Sequence, residues 1–147
     1  MGKVVMGTVL IVDDSEDTCK VICAMVGKIG HVGICAYSVP EAMECIGRQR
    51  PDVIITDLML PGESGLELLR AVRADPLTRD VPVIICSAVS EHRYVDEAMR
   101  AGATDYWLKA SMRVDDIHER LAAYLPNGTG WSESPAAHPL RPDIALG

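Results

Sequence analysis

Asp13 and Asp14 follow the apolar run Thr8–Val12, and Asp57 follows Val53–Thr56. Two more apolar runs end on groups that complement carboxylates. Val81–Cys86 is followed by Ser87 and Ala88, and Ala103–Leu108 by Lys109. Three carboxylates gathered in one place repel one another. At ~5 Å and an effective dielectric near 20, each pair costs roughly 3 kcal/mol. A bound cation relieves that repulsion, and an all-oxygen donor set favours a hard divalent ion, Mg²⁺ or alternatively Mn²⁺. The Lys109 ammonium and the Ser87 hydroxyl can receive the oxygens of a phosphoryl group carried on a carboxylate. Asp13 and Asp14 are adjacent and suited to sharing a metal, which favours Asp57 as the carrier. Spacing alone leaves all three open.

The runs that deliver these residues are short, β-branched and continuous. With Gly33–Tyr37 they make five, and they read as strands buried on both faces. Helical signals lie between them. Ile22, Met25, Val26 and Ile29 form an apolar stripe at helical spacing. Ser38 with Glu41, and Ser64 with Glu67, have capping-box spacing. Ser90 is placed to cap a helix carrying Tyr94, Val95, Ala98 and Met99, ended by Gly102. Val114, Ile117, Leu121 and Leu125 give the last stripe before Pro126. The pattern predicts a flavodoxin-like α/β fold: a (βα)5 doubly wound parallel sheet of strand order 2-1-3-4-5. Such folds bind ligands at the carboxyl ends of the strands, where Asp13, Asp14, Asp57, Ser87 and Lys109 fall. One domain is expected over residues 1–125. Residues 126–147, rich in Pro, Gly and Ser, read as a disordered tail.

Composition excludes several classes. The net charge of −7 argues against nucleic acid or an anionic membrane as the main partner. The five cysteines include no CxxC pair and mostly lie in apolar runs, which points to a reducing compartment without a disulfide framework. The apolar run near the N-terminus stops at two aspartates and lacks a signal-peptide layout, so a cytoplasmic protein is expected.

The segments VLIVDDSEDTC, DVIITDLMLPGESGLELL, VPVIICSA and AGATDYWLKA make the sequence resemble a receiver domain of the bacterial two-component response regulators. The resemblance covers about residues 7–125. It implies that Asp57 is the phosphoacceptor, and that Asp13, Asp14, Asp57 and the backbone carbonyl of Met59 hold Mg²⁺. It further implies that Ser87 and Lys109 contact the phosphoryl group and that Tyr106 is an aromatic switch coupled to Ser87. The implied partners are a histidine kinase or histidine phosphotransfer protein and a protein target at the helix 4–strand 5–helix 5 face. No turnover of an external substrate is implied. The short segment after residue 125 suggests a stand-alone receiver without a DNA-binding output module.

Three positions depart from the family pattern. Ala110 follows Lys109 where proline, often after a cis peptide, is common. A trans Lys109–Ala110 bond is expected, since cis costs ~2.5–4 kcal/mol without proline. Met59 and Val89 flank the place of an attacking water and cannot hydrogen-bond it through their side chains. Slow loss of the phosphoryl group is the expectation. Three other readings compete. An aspartyl phosphatase of the haloacid dehalogenase type needs D-x-D after strand 1, which is missing. A flavin binder needs an anion-cradling first loop, whereas this one reads DDSED. A phosphorylation-independent receiver-fold binding module remains as the alternative.

Overall fold

The computed structural model describes residues 7–125. Five strands alternate with five helices: β1 Thr8–Val12, α1 Glu16–Lys28, β2 Val32–Ala36, α2 Val39–Arg48, β3 Val53–Thr56, α3 Gly65–Ala74, β4 Val83–Ser87, α4 His92–Arg100, β5 Asp105–Leu108 and α5 Val114–Ala122. The strands form one parallel sheet of order β2-β1-β3-β4-β5, as expected. Every residue of β1, β3 and β4 is buried, because helices cover both faces of the sheet.

The two faces divide the core. Leu10, Val12, Ile54 and Ile85 pack against Ala42 of α2, Leu68 and Leu69 of α3, and Ala98 of α4. Val9, Ile11, Ile55, Ile84 and Trp107 pack against Cys19, Ile22 and Val26 of α1 and Ile117 and Leu121 of α5. Strand side chains alternate between faces, so each continuous apolar run feeds both clusters.

Local chemistry sets most helix starts. The side chains of Ser15, Ser38 and Ser64 accept backbone N–H groups from Thr18, Glu41 and Leu66. Ser90 does not cap α4. The helix starts one residue later, after Glu91, whose side chain makes no capping bond. Met99 of α4 is an exposed apolar residue. Gly102 takes φ of 106°, a left-handed conformation that ends α4 as expected.

Strand ends also shift. β2 lies one residue earlier than Gly33–Tyr37. β4 begins at Val83, after Pro82, and runs on through Ser87. β5 begins at Asp105, because Ala103 N–H turns back to Ala98 C=O to close α4. The Lys109–Ala110 peptide is trans as expected, and Lys109–Ser111 form one 3-10 turn before α5. The expected tail, residues 126–147, lies outside the described residues. Among the described residues, no helix is long and apolar enough to cross a membrane.

Candidate functional site

Strands β1 and β3 are neighbours, and Val12 pairs with Thr56. Asp13 and Asp57 therefore leave the sheet side by side. Asp57 N–H donates to Val12 C=O at 2.8 Å, and Asp13 N–H to Ala36 C=O of β2 at 3.0 Å. Asp13 and Asp57 are buried, while Asp14 is exposed. One oxygen from each of Asp13, Asp14 and Asp57 lies within 4.8 Å of the others. This all-carboxylate donor set fits a hard divalent cation.

The remaining bonds assign each oxygen. Asp13 Oδ1 accepts from Ser15 N–H at 2.9 Å, and Asp57 Oδ1 from Met59 N–H at 3.1 Å. Asp13 Oδ2 and Asp57 Oδ2 both accept from Lys109 Nζ, each at 2.8 Å. Sequence reasoning placed the Lys109 charge at this carboxylate cluster; the structure has it bridge Asp13 and Asp57. Partial burial by itself would lower the Lys109 pKa. Its hydrogen bonds to Asp13 and Asp57, with their charges, outweigh that and raise it above the ordinary lysine range.

Ser87 is fully buried at the end of β4, and its Oγ accepts from Val89 N–H at 3.1 Å. The Tyr106 ring is buried on the α4 side of the sheet. Its hydroxyl donates to Val89 C=O at 2.6 Å. Burial raises the Tyr106 pKa, the neighbouring Ser87 hydroxyl opposes the shift, and the Asp57 charge adds to it. Val89 thus meets both Ser87 and Tyr106, linking the β4 end to β5. Met59 is half exposed beside Asp57. An apolar groove of about 300 Å³ opens between α1 and α5 next to Lys109, walled by Val21, Ile22, Met25, Met112 and Ile117.

Sequence reasoning missed two supports of the site. Gly65, the first residue of α3, lies against the backbone carbonyl of Asp57, and its N–H donates to Leu58 C=O at 2.9 Å. A glycine directly after the capping Ser64 was the available signal. Cys86, just before Ser87, places its thiol 3.0 Å from Met112 Sδ. Burial pushes this thiol up to about 12, partly offset by the Lys109 charge.

Known proteins share this arrangement of strands. The family described as response regulator receiver domain matches residues 9–122. The phosphate regulon transcriptional regulatory protein PhoB of Pseudomonas aeruginosa is 34% identical over 128 residues, which cover 87% of this chain and 56% of that protein. Sporulation initiation phosphotransferase F of Bacillus subtilis is 27% identical over 118 residues, covering 80% of this chain and 93% of its own. The solved structure of chemotaxis response regulator CheY4 of Vibrio cholerae matches with a TM-score of 0.75 at 26% identity, covering 82% of this chain and 100% of that one. A putative response regulator from Chloroflexus aurantiacus gives a TM-score of 0.75 at 30% identity, covering 80% and 95%. This chain spans about half the length of the first curated relatives it matches, 56% and 44%.

Proposed function

Since the chain belongs to the response regulator receiver domain family of two-component signalling proteins, we propose that Asp57 accepts a phosphoryl group from a phosphohistidine. The donor is a histidine kinase or a histidine phosphotransfer protein. One observation carries the reading: Lys109 Nζ lies 2.8 Å from both Asp57 Oδ2 and Asp13 Oδ2, in a pocket where three carboxylates converge.

In the transfer, an Asp57 carboxylate oxygen attacks phosphorus and the phosphorus–nitrogen bond breaks. The imidazole keeps the electron pair and takes up a proton. Asp13, Asp14, Asp57 and the Met59 carbonyl would hold Mg²⁺, which supplies positive charge against the phosphoryl oxygens. Lys109 pairs with a phosphoryl oxygen once one takes the place of one of its two present carboxylate partners. The apolar groove beside Lys109 suits a helix of the donor protein.

Ser87 hydrogen-bonds a phosphoryl oxygen after transfer. Ser87 Oγ now accepts from Val89 N–H, and Tyr106 OH donates to Val89 C=O. A shift of Ser87 therefore reaches Tyr106 through the β4–α4 loop, and from there the α4–β5–α5 face that meets a protein target. The receiver unit is assigned to residues 1–125, followed by a Pro/Gly/Ser-rich tail over residues 126–147. The chain carries one phosphoryl group as a signal and turns over no external substrate.

The test is intact mass after treatment with acetyl phosphate and Mg²⁺, or with a phosphorylated histidine donor. One added phosphoryl group is expected, absent in Asp57→Asn and absent when the metal is chelated. No uptake from either donor type would overturn the reading in favour of a phosphorylation-independent binding module.

A further inference from the structure

Away from the carboxylate pocket, Cys23 of α1 and Cys35 of β2 bring their Sγ atoms to 3.0 Å. A disulfide bond is about 2.05 Å long, so closure needs an approach of only about 1 Å. The pairing has a built cause in the backbone. A Cβ on Gly33 would lie 2.9 Å from Cys23 Sγ and 3.1 Å from Cys23 Cα. Glycine at that position lets α1 press onto the edge strand. Gly33 and Cys35 are two residues apart on β2 and share a face.

Cys19 also lies beside Cys35, and burial is what sets it apart from this pair. Cys19 and Cys86 are buried, whereas Cys23 and Cys35 are partly exposed. The Cys19 thiol also donates to the backbone carbonyl of Asp13 at 3.4 Å. Cys45 is partly exposed but packs on the opposite face of the sheet. We propose that Cys23 and Cys35 are a redox-responsive pair that a small-molecule disulfide of the oxidised glutathione class converts into an intramolecular disulfide.

The exchange balances in two steps. One cysteine loses its proton and attacks the external disulfide, forming a mixed disulfide and releasing one small thiolate. The second cysteine loses its proton and attacks the protein-bound sulfur of that mixed disulfide, releasing the second small thiolate. Two protein thiols are oxidised, and the external disulfide is reduced to two thiols. Burial, reinforced by Cys35, raises the Cys23 thiol to about 12, so the exchange accelerates as pH rises. The bond ties α1, a wall of the groove beside Lys109, to the sheet edge. The inference is independent of phosphoryl transfer.

The experiment incubates the full chain with oxidised glutathione, blocks remaining thiols and maps tryptic peptides without reduction. A link between peptide 21–28 and peptide 29–48 is expected in the parent and in Cys45→Ser, with reversal by dithiothreitol. It should be missing in Cys23→Ser and in Cys35→Ser, both checked for folding by circular dichroism. The parent should also gain several degrees in Tm on oxidation, roughly as a short closed loop predicts, and the two serine variants should not. Free thiols throughout, a link from peptide 4–20, or glutathione retained only on Cys45 would each overturn the proposal.

Discussion

Gly65 packs its α-carbon against the backbone carbonyl of Asp57, so closely that a β-carbon would overlap the carbonyl oxygen. The same β-carbon would meet Leu58 Cα at 3.2 Å. All of these neighbours are backbone atoms and cannot rotate away. Gly65→Ala should therefore destabilise the protein by about 1–3 kcal/mol in urea unfolding and slow phosphoryl uptake. Gly47→Ala, in α2, is the control. Nothing lies within 4 Å of its β-carbon, and helix propensity should give a gain of about 0.4–1 kcal/mol. Equal effects at the two sites would show that the contact with Asp57 does not constrain the loop.

Lys109 and a divalent cation draw on the same carboxylates, since its ammonium bonds Asp13 Oδ2 and Asp57 Oδ2. Lys109→Met should leave the metal-free protein less stable and bind Mg²⁺ roughly tenfold more tightly, because one competing charge is removed. Isothermal titration calorimetry checks the affinity. An unchanged Mg²⁺ affinity would show that ammonium and metal do not compete.

Asp105 is a fully buried carboxylate. Burial raises its pKa above the ordinary 3.8, although hydrogen bonds from Trp107 Nε1 and Tyr106 N–H and the charge of Arg120 act the other way. The folded state thus holds the proton more tightly than the unfolded state. The resulting stabilisation is present below the ordinary carboxylate pKa and is lost as pH rises through the folded value. Stability relative to Asp105→Asn should fall as pH rises above the ordinary carboxylate value of 3.8 and through the raised folded value. Asn also costs one acceptor at every pH, so the slope of the difference, measured by urea unfolding, is the diagnostic. A difference that rises with pH would contradict the argument.

Met59 is half exposed beside Asp57, the proposed acceptor, and neither it nor Val89 offers a side-chain hydrogen bond to a water. The aspartyl phosphate should be long-lived. Met59→Glu should speed its loss by about threefold or more, by supplying an acceptor that orients the attacking water. Phosphoprotein decay followed by intact mass decides this. A parent that decays as fast as the variant would remove the role given to position 59.

The sheet was legible because its strands are buried on both faces. TVLIV and VIIT carry no polar interruption, and a parallel sheet covered by helices tolerates none. The alternation of elements implied a parallel sheet, the common five-strand doubly wound fold supplied the strand order, and the strand ends then brought Asp13, Asp57, Ser87 and Lys109 to one rim. Boundaries were less legible. Ser90 has the chemistry of a cap, but the helix begins after Glu91. Capping preference names a residue type, while tertiary packing chooses the turn that closes.

By itself, the sequence determined which residue types stand at the strand ends, and so that carboxylates, a hydroxyl and an ammonium meet. Each strand's last residue is local information, and the parallel sheet aligns those ends. Only the tertiary structure decided that Lys109 bridges Asp13 and Asp57, and that Tyr106 and Ser87 meet through Val89. The structure alone also showed that Gly65 must lack a side chain, and that Cys23 faces Cys35. Those relationships depend on ångström-scale distances between elements far apart in the chain. Side-chain reach and helix-on-sheet packing set such distances, and neither is written in residue spacing.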